Sequence, residues 1–463
     1  MNYLTKNALL YSAVTLLLLV STTPARAAEW KAGVAKVKIT PTKPLRMGGY
    51  SSRTRPADGT LTDLWAKALV LQDGSGTRAV LITVDVNNIS RDMSMSVCRE
   101  LHKRFGLERS SIALNASHTH SGPAMGKRAY YTFTDEQHQD LKDYTADLRR
   151  KLIAVAAEAL KNLAPAKLSW GNGKATFAVN RRNNREADVP KLRTEGKLRG
   201  PVDHDVPVLF FQDLSGRLKA VACGYACHAT TLNGYQISAD WPGYAQTELE
   251  KMYPDAIALT WIGCGGDQNP SPRRKVEYAL DYGRQLARSV EAVRSNNAQP
   301  IAGKLACSYA EIDIPFARIP TGDELRKQLD NKNRFEVARA TTLLQRLERD
   351  GKLDSTYPYP VQVWKLGNGP TFVLLGGEVV VDYSLRLKRE LGATSTWVAG
   401  YSNDVLAYIP SRRVLLEGGY EGGGAMLYYG HPSPWAEGIE QKIVREVHRQ
   451  VKQAAEANAL FVP

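Results

Sequence analysis

Ser111-Ile-Ala-Leu-Asn115-Ala-Ser-His118-Thr-His120-Ser-Gly-Pro123 opens on a short apolar run and closes on a turn. The run from Ser111 to Asn115 has the length of a buried strand. Gly122-Pro123 then turns the chain and keeps both imidazoles in a loop. Two imidazoles one residue apart, just past a strand end, can converge on one ion or one reacting atom. Imidazole nitrogen is a common zinc ligand, and histidine is the usual acid or base near neutral pH. A pair of surface histidines would show the same pattern, so the rest of the chain has to decide.

Strand-like runs recur on both sides. Ala79-Val-Leu-Ile-Thr-Val84, Val206-Pro-Val-Leu-Phe-Phe211, Lys219-Ala-Val-Ala-Cys223, Ile257-Ala-Leu-Thr-Trp-Ile262 and Thr371-Phe-Val-Leu-Leu375 have the composition of buried strands. Amphipathic stretches alternate with them. One opens at Thr134-Asp-Glu-Gln, with Thr134 as N-cap, and runs to about Asn162. Others are expected from about Lys275 to Arg294, from Glu324 to Asp350 and from Glu437 to Ala457. The alternation predicts an α/β fold, with mixed β-sheets flanked by helices in a single large catalytic domain. The polar, basic segment from Asn180 to Pro201 reads as a long loop, a feature that is often functional in a compact domain.

Residues 1–27 read as a secretory signal. Lys6 supplies the positive start, Ala8 to Val20 is nearly all apolar, and Ala25-Arg26-Ala27 offers a cleavage site. Export to the periplasm or beyond the cell is therefore expected, with residues 28–463 forming the working domain. No later segment approaches about 18 uninterrupted apolar residues, so the processed chain is expected to be soluble. The chain is 43% hydrophobic and 23% charged, a globular composition, and it shows no short repeat. Its net charge is +14, but the basic residues are scattered and no stripe interleaves them with aromatics. That argues against a nucleic-acid partner and leaves peripheral contact with an anionic membrane surface open. Five cysteines, Cys98, Cys223, Cys227, Cys264 and Cys307, leave at least one thiol unpaired in a monomer. Neither disulfide pairing nor oligomeric state is legible.

Three further segments bear on chemistry. Gly224-Tyr-Ala-Cys-His228 follows a predicted strand, and its imidazole is either a satisfied core group or a ligand. In Leu374-Leu-Gly-Gly-Glu378 two glycines end a strand and leave a carboxylate at the mouth. Open α/β sheets place their sites there, although the helix dipole alone would also favour an acid. Gly400-Tyr401, Tyr408-Ile-Pro and Gly419-Tyr420-Glu set phenols beside turns, either as packing or as donors to a pocket. Asp203-His204-Asp205 reads as a strand-entry turn, since neighbours in an extended segment face opposite ways. Asp63, Asp85, Asp240 and Asp267 are candidates to hold the outer N–H of a ligating imidazole.

These segments, in this order, resemble the catalytic N-terminal domain of the neutral/alkaline non-lysosomal ceramidase family. His118-Thr-His120-Ser-Gly-Pro is the most specific piece. Gly48-Gly-Tyr50, Asn180-Arg181, Ile237-Ser-Ala-Asp240 and Gly266-Asp267 support it. The resemblance implies one zinc ion per chain, with His118, His228, Glu378 and Tyr408 as its protein ligands. It sets His120 near the scissile carbonyl and Tyr420 facing substrate. Arg181 matches a pocket arginine that binds a carbonyl or carboxylate oxygen. Where the family has its active-site serine, this chain has Asn269.

The implied reaction is hydrolysis of a linear N-acyl amide by metal-activated water, with ceramide giving a fatty acid and a sphingoid base. The partner is then a small acyl-amide molecule, lipid or not. Two alternatives stand beside it. One is hydrolysis of a different acyl substrate, such as an N-acyl amino acid, an acylated sugar or an ester. The other is an inactive zinc-containing protein that binds lipid or glycan.

Overall fold

The computed structural model describes residues 30–125, 133–296 and 298–459. The signal expected over residues 1–27 lies outside the described residues. Within them the chain builds one β-β-β-α-β-α pattern three times. The first unit has β1 (Trp30–Lys38), β2 (Trp65–Gln72), β3 (Arg78–Val84) and β4 (Ile112–Ala116). The second has β5 (Ala164–Lys174), β6 (Asp205–Gln212), β7 (Leu218–Tyr225) and β8 (Ile257–Ile262). A two-residue strand, β9 (Gln299–Pro300), pairs with β5. The third has β10 (Leu305–Pro315), β11 (Thr356–Leu366), β12 (Thr371–Leu375) and β13 (Thr396–Ala399).

In each unit the first three strands form an antiparallel meander and the fourth lies parallel to the third. A parallel neighbour needs a crossover, and a helix supplies it each time: Arg91–Phe105, Asp240–Met252 and Val381–Leu391. A second helix follows: Asp135–Lys161, Val276–Asn296 and Ile439–Ala459. These three pack on the first two strands of their own units. In sequence the repeat shows between the first two units at the start of the fourth strand, Ile112-Ala-Leu114 and Ile257-Ala-Leu259, and at a turn. Asp73-Gly-Ser-Gly76-Thr77 joins β2 to β3, and Asp213-Leu-Ser-Gly216-Arg217 joins β6 to β7. In both, the aspartate accepts from the serine hydroxyl and from the backbone N–H four residues on. Gly76 and Gly216 take φ of 91° and 88°, which a side chain would resist.

The first two units share one mixed sheet, ordered β8-β7-β6-β5-β1-β2-β3-β4, joined where β1 and β5 pair antiparallel. The third unit forms its own four-stranded sheet. All three turn one face into a common core. Leu69, Leu81, Trp170, Trp261, Phe372 and Trp397 meet there, while alternate residues such as Val70 and Val80 face the helices. The α/β architecture with mixed sheets and flanking helices is thus the expected one. Asn115 ties the units together. Its Nδ2 donates to the Gly400 carbonyl at 2.8 Å and to Ser402 Oγ at 3.0 Å. Its Oδ1 accepts from the Ile262 N–H at 2.9 Å, so β4, β8 and β13 end together.

The helix expected from Thr134 is present, closed by a capping box between Thr134 and Gln137. The single helix expected over Glu324–Asp350 is two, Gly322–Gln328 and Arg334–Asp350. Asn333 breaks it by capping the second, a role its side chain favours over helix interior. The segment after Asn180 is not all loop, since Val189–Thr194 is a short helix. Asp203-His204-Asp205 is a strand entry, with Lys388 bonding both carboxylates. All five cysteines are free thiols.

Candidate metal centre

Equivalent loops of the three units supply the site. The third residue past the third strand is Asn87, His228 and Glu378 in turn; the second residue past the fourth is His118, Cys264 and Tyr401. His118 and Tyr401 hold the left-handed backbone at φ 53° and 50°. That conformation costs a non-glycine residue roughly 1–2 kcal/mol. Fixed neighbours hold it in place: the Tyr401 carbonyl accepts from Ala116 N–H, and Ser117 N–H donates to the Val84 carbonyl.

His118 and His228 are fully buried. Each donates Nδ1–H to a carbonyl of its own unit, Asn87 and Gly265 respectively, at 2.6 Å. These backbone carbonyls take the place expected of an aspartate. Asp63, Asp85, Asp240 and Asp267 bond other groups, including the backbone N–H of Trp65 for Asp85 and of Val381 for Asp267. With Nδ1 donating to a carbonyl, each ring turns its Nε2 inward. His118 Nε2 and His228 Nε2 lie 3.1 and 3.0 Å from the same oxygen, Glu378 Oε2. His120 Nε2 is 3.1 Å from His118 Nε2. The ligand nitrogens of His118, His120 and His228 all lie within 4.8 Å of one another.

Burial opposes the charge on Glu378, yet the adjacent imidazoles hold its carboxyl well below the usual range. Burial, aided by the Arg181 guanidinium, pushes His228 down to about 4. At neutral pH the cluster therefore contains a carboxylate and a neutral imidazole, the forms that ligate metal. Lone pairs at 3.0–3.1 Å repel unless a cation or proton lies between them. The donor set fits a metal ion, and the group can hold one.

Tyr408 stacks on His228 at an interplanar angle of 13°, with its hydroxyl 3.3 Å from His228 Nε2. Arg181 Nη2 donates to that hydroxyl at 3.0 Å, and Arg181 Nε donates to Glu421 at 2.7 Å. Arg181 Nη1 reaches Asn269 Oδ1 at 3.3 Å. A guanidinium has only donors, so the amide oxygen of Asn269 must face it. Thr230 Oγ1 donates to the same oxygen, which leaves the Asn269 amide nitrogen as a donor. Tyr420 is 48% exposed, with its ring 5.3 Å from that of Tyr408. All eight sequence-derived residues thus lie in one connected neighbourhood.

Tyr429 escaped sequence reading. Its hydroxyl donates to Glu378 Oε1, the oxygen turned away from the histidines. A tyrosine inside Tyr428-Tyr429-Gly430 carries no local sign of such a role. Tyr401 packs on His118, ring centroids 4.7 Å apart. Two cavities flank the cluster. One of about 730 Å³ has a mostly apolar wall that includes Met93, Leu141, Leu152 and Tyr429. The other, about 580 Å³, is walled by Arg181, Asn269 and Tyr420.

Residues 30–260 match the family described as neutral/alkaline non-lysosomal ceramidase, N-terminal. The chain is 25% identical to the neutral ceramidase of Pseudomonas aeruginosa over 94% of this chain and 74% of that protein. It is 27% identical to the neutral ceramidase of Drosophila melanogaster over 64% of this chain, which spans 40% of that relative. A crystal structure of the Pseudomonas aeruginosa neutral ceramidase shares the fold, with a TM-score of 0.67 at 20% identity. The match covers 87% of this chain and 72% of that one. The chain belongs to the neutral/alkaline non-lysosomal ceramidase family. No helix among the described residues is long and apolar enough to cross a membrane.

Proposed function

From that membership, we propose that this chain is a zinc-dependent hydrolase of linear N-acyl amides, cleaving ceramide-type lipids to a fatty acid and a sphingoid base. The observation that carries the reading is the convergence of His118 Nε2 and His228 Nε2 on Glu378 Oε2. Nitrogen and oxygen donors of this kind suit zinc, one per chain, with Tyr408 as a further ligand. Bound zinc supplies a Lewis acid that polarises a carbonyl and lowers the pKa of water.

The chain's own groups do the rest. His120 stands beside His118 and moves a proton between water and the leaving amine. Tyr420 and the Asn269 amide donate to the developing oxyanion. Arg181 orients both Asn269 and Tyr408. The apolar cavity reaching Tyr429 suits an acyl chain. Asn269 carries no nucleophilic hydroxyl, so attack by water suits this chain better than an acyl-enzyme route. It also favours a second reading, an amide or ester other than ceramide. We place the working protein outside the cytoplasm on the strength of residues 1–27.

The test is hydrolysis of ceramide, N-acyl amino acids, acylated amino sugars and simple esters by zinc-loaded protein, with His118→Ala as blank. Amide turnover abolished in the blank supports the reading. Stoichiometric zinc without turnover of any substrate overturns it in favour of a binding protein.

A further inference from the structure

The cavity beside Tyr420 has a polar wall of one-sided character. Its acids are already used: Glu421 accepts from Arg181 and Arg182, Glu417 from Arg182, and Glu186 from Arg273 and Arg274. What remains on the wall is donors. Asn269 is turned so that its amide nitrogen is unused. Arg182 Nε and Arg273 Nε are buried without an acceptor. Arg185 is exposed and pairs with no acid among the described residues. Ser271, only 3% exposed, lines the cavity with its hydroxyl unpartnered. Buried polar groups are normally satisfied, and a wall of unused donors is completed by a ligand bearing acceptors. With Arg185 uncompensated, the complementary ligand carries negative charge.

We propose that this cavity is a carboxylate subsite for the amine side of the substrate, so that the preferred substrates are N-acyl amino acids. The inference rests on the amide-hydrolase reading above and takes up its second substrate class, an amide other than ceramide. Tyr420 and Arg181 belong to the same wall, which sets the subsite next to the reacting carbonyl. The acyl chain then lies toward the apolar cavity, and the α-carboxylate meets Ser271 and the arginines. The neutral diol of a sphingoid base offers no such charge.

The experiment compares N-dodecanoylglycine with N-dodecanoylethanolamine, which differ in the carboxylate, on the zinc-loaded chain. We expect kcat/KM at least ~10-fold higher for the glycine conjugate, carried by KM, as for a charged group losing a buried partner. Arg185→Ala and Ser271→Ala raise KM for the glycine conjugate and leave the ethanolamide unchanged. Equal kcat/KM for the two, or equal losses in the variants, overturns the subsite while leaving amide hydrolysis intact. If neither compound is cut, the hydrolase reading fails. Calorimetry on the metal-free chain then decides the subsite. Tighter binding of the glycine conjugate, lost in Arg185→Ala, supports it, and equal binding of both compounds overturns it.

Discussion

Glu378 and Tyr408 are register partners in a two-stranded parallel pair, Glu378–Val379 against Tyr408–Ile409. The pairing sets a carboxylate and a phenol side by side, both buried and both within 3.3 Å of His228 Nε2. Two ligand candidates that are far apart in sequence are thereby fixed by backbone hydrogen bonds rather than by flexible side chains.

Metal binding should depend on Glu378. Glu378→Gln keeps shape and removes charge, leaving two imidazoles without their anion. Outer partners of ligands typically cost 10–100-fold in affinity, and a direct ligand should exceed about 100-fold. Competition titration with a zinc chelator measures it, and unchanged affinity would remove Glu378 from the ligand set.

Tyr429→Phe tests the oxygen that faces away from the histidines. Loss of the hydroxyl removes the Tyr429 bond to Glu378 Oε1. Zinc affinity should fall about 10–100-fold while the unfolding midpoint of the metal-free chain moves little. A large stability loss with unchanged affinity would make Tyr429 a packing residue.

Asn115→Ala should unfasten the units from one another. It strips the Ile262 N–H of its acceptor and takes one of two bonds each from the Gly400 carbonyl and Ser402 Oγ, which stay bonded to each other. The expected cost is about 3 kcal/mol or more, read from urea unfolding. A loss under about 1 kcal/mol would show that the shared core alone holds the units together.

Acid should weaken the fold partly through His431. Burial pushes this imidazole down to about 4, and its Nε2–H donates to the Leu406 carbonyl. The unfolded side chain titrates near 6.5, so between about pH 6.5 and 4 the unfolded chain binds the extra proton. Stability contributed above pH 6.5 is therefore lost as pH falls toward 4. From pH 7 to 5 the loss should be about 2 kcal/mol, and His431→Gln should remove it. Parallel pH slopes for the two proteins would contradict this.

Local sequence revealed a good part of the structure. Strand composition marked β3, β6, β7, β8 and β12 to within a residue or two, and Thr134 marked a helix start. These signals are legible because alternation, capping and turn chemistry act over a few residues. The threefold repeat was not legible. Buried strands accept many apolar residues, so the three units share a topology while the first two share letters at the Asp-x-Ser-Gly turns and at the Ile-Ala-Leu that opens β4 and β8. The break at Asn333 was missed because amphipathic spacing continues across it.

The histidines, the glutamate and the tyrosines at strand ends were fixed by sequence, since residue type and the turn beside it are local properties. Which atoms meet was decided only by tertiary structure. His228 and Glu378 are 150 residues apart, and nothing between them encodes a 3.0 Å contact. That contact exists because Asn115 and a shared core bring three sheet ends together. Packing also chose backbone carbonyls over aspartates as partners of the imidazoles, and gave Glu378 a further partner in Tyr429. Such choices depend on distance in space, which short-range patterns do not record.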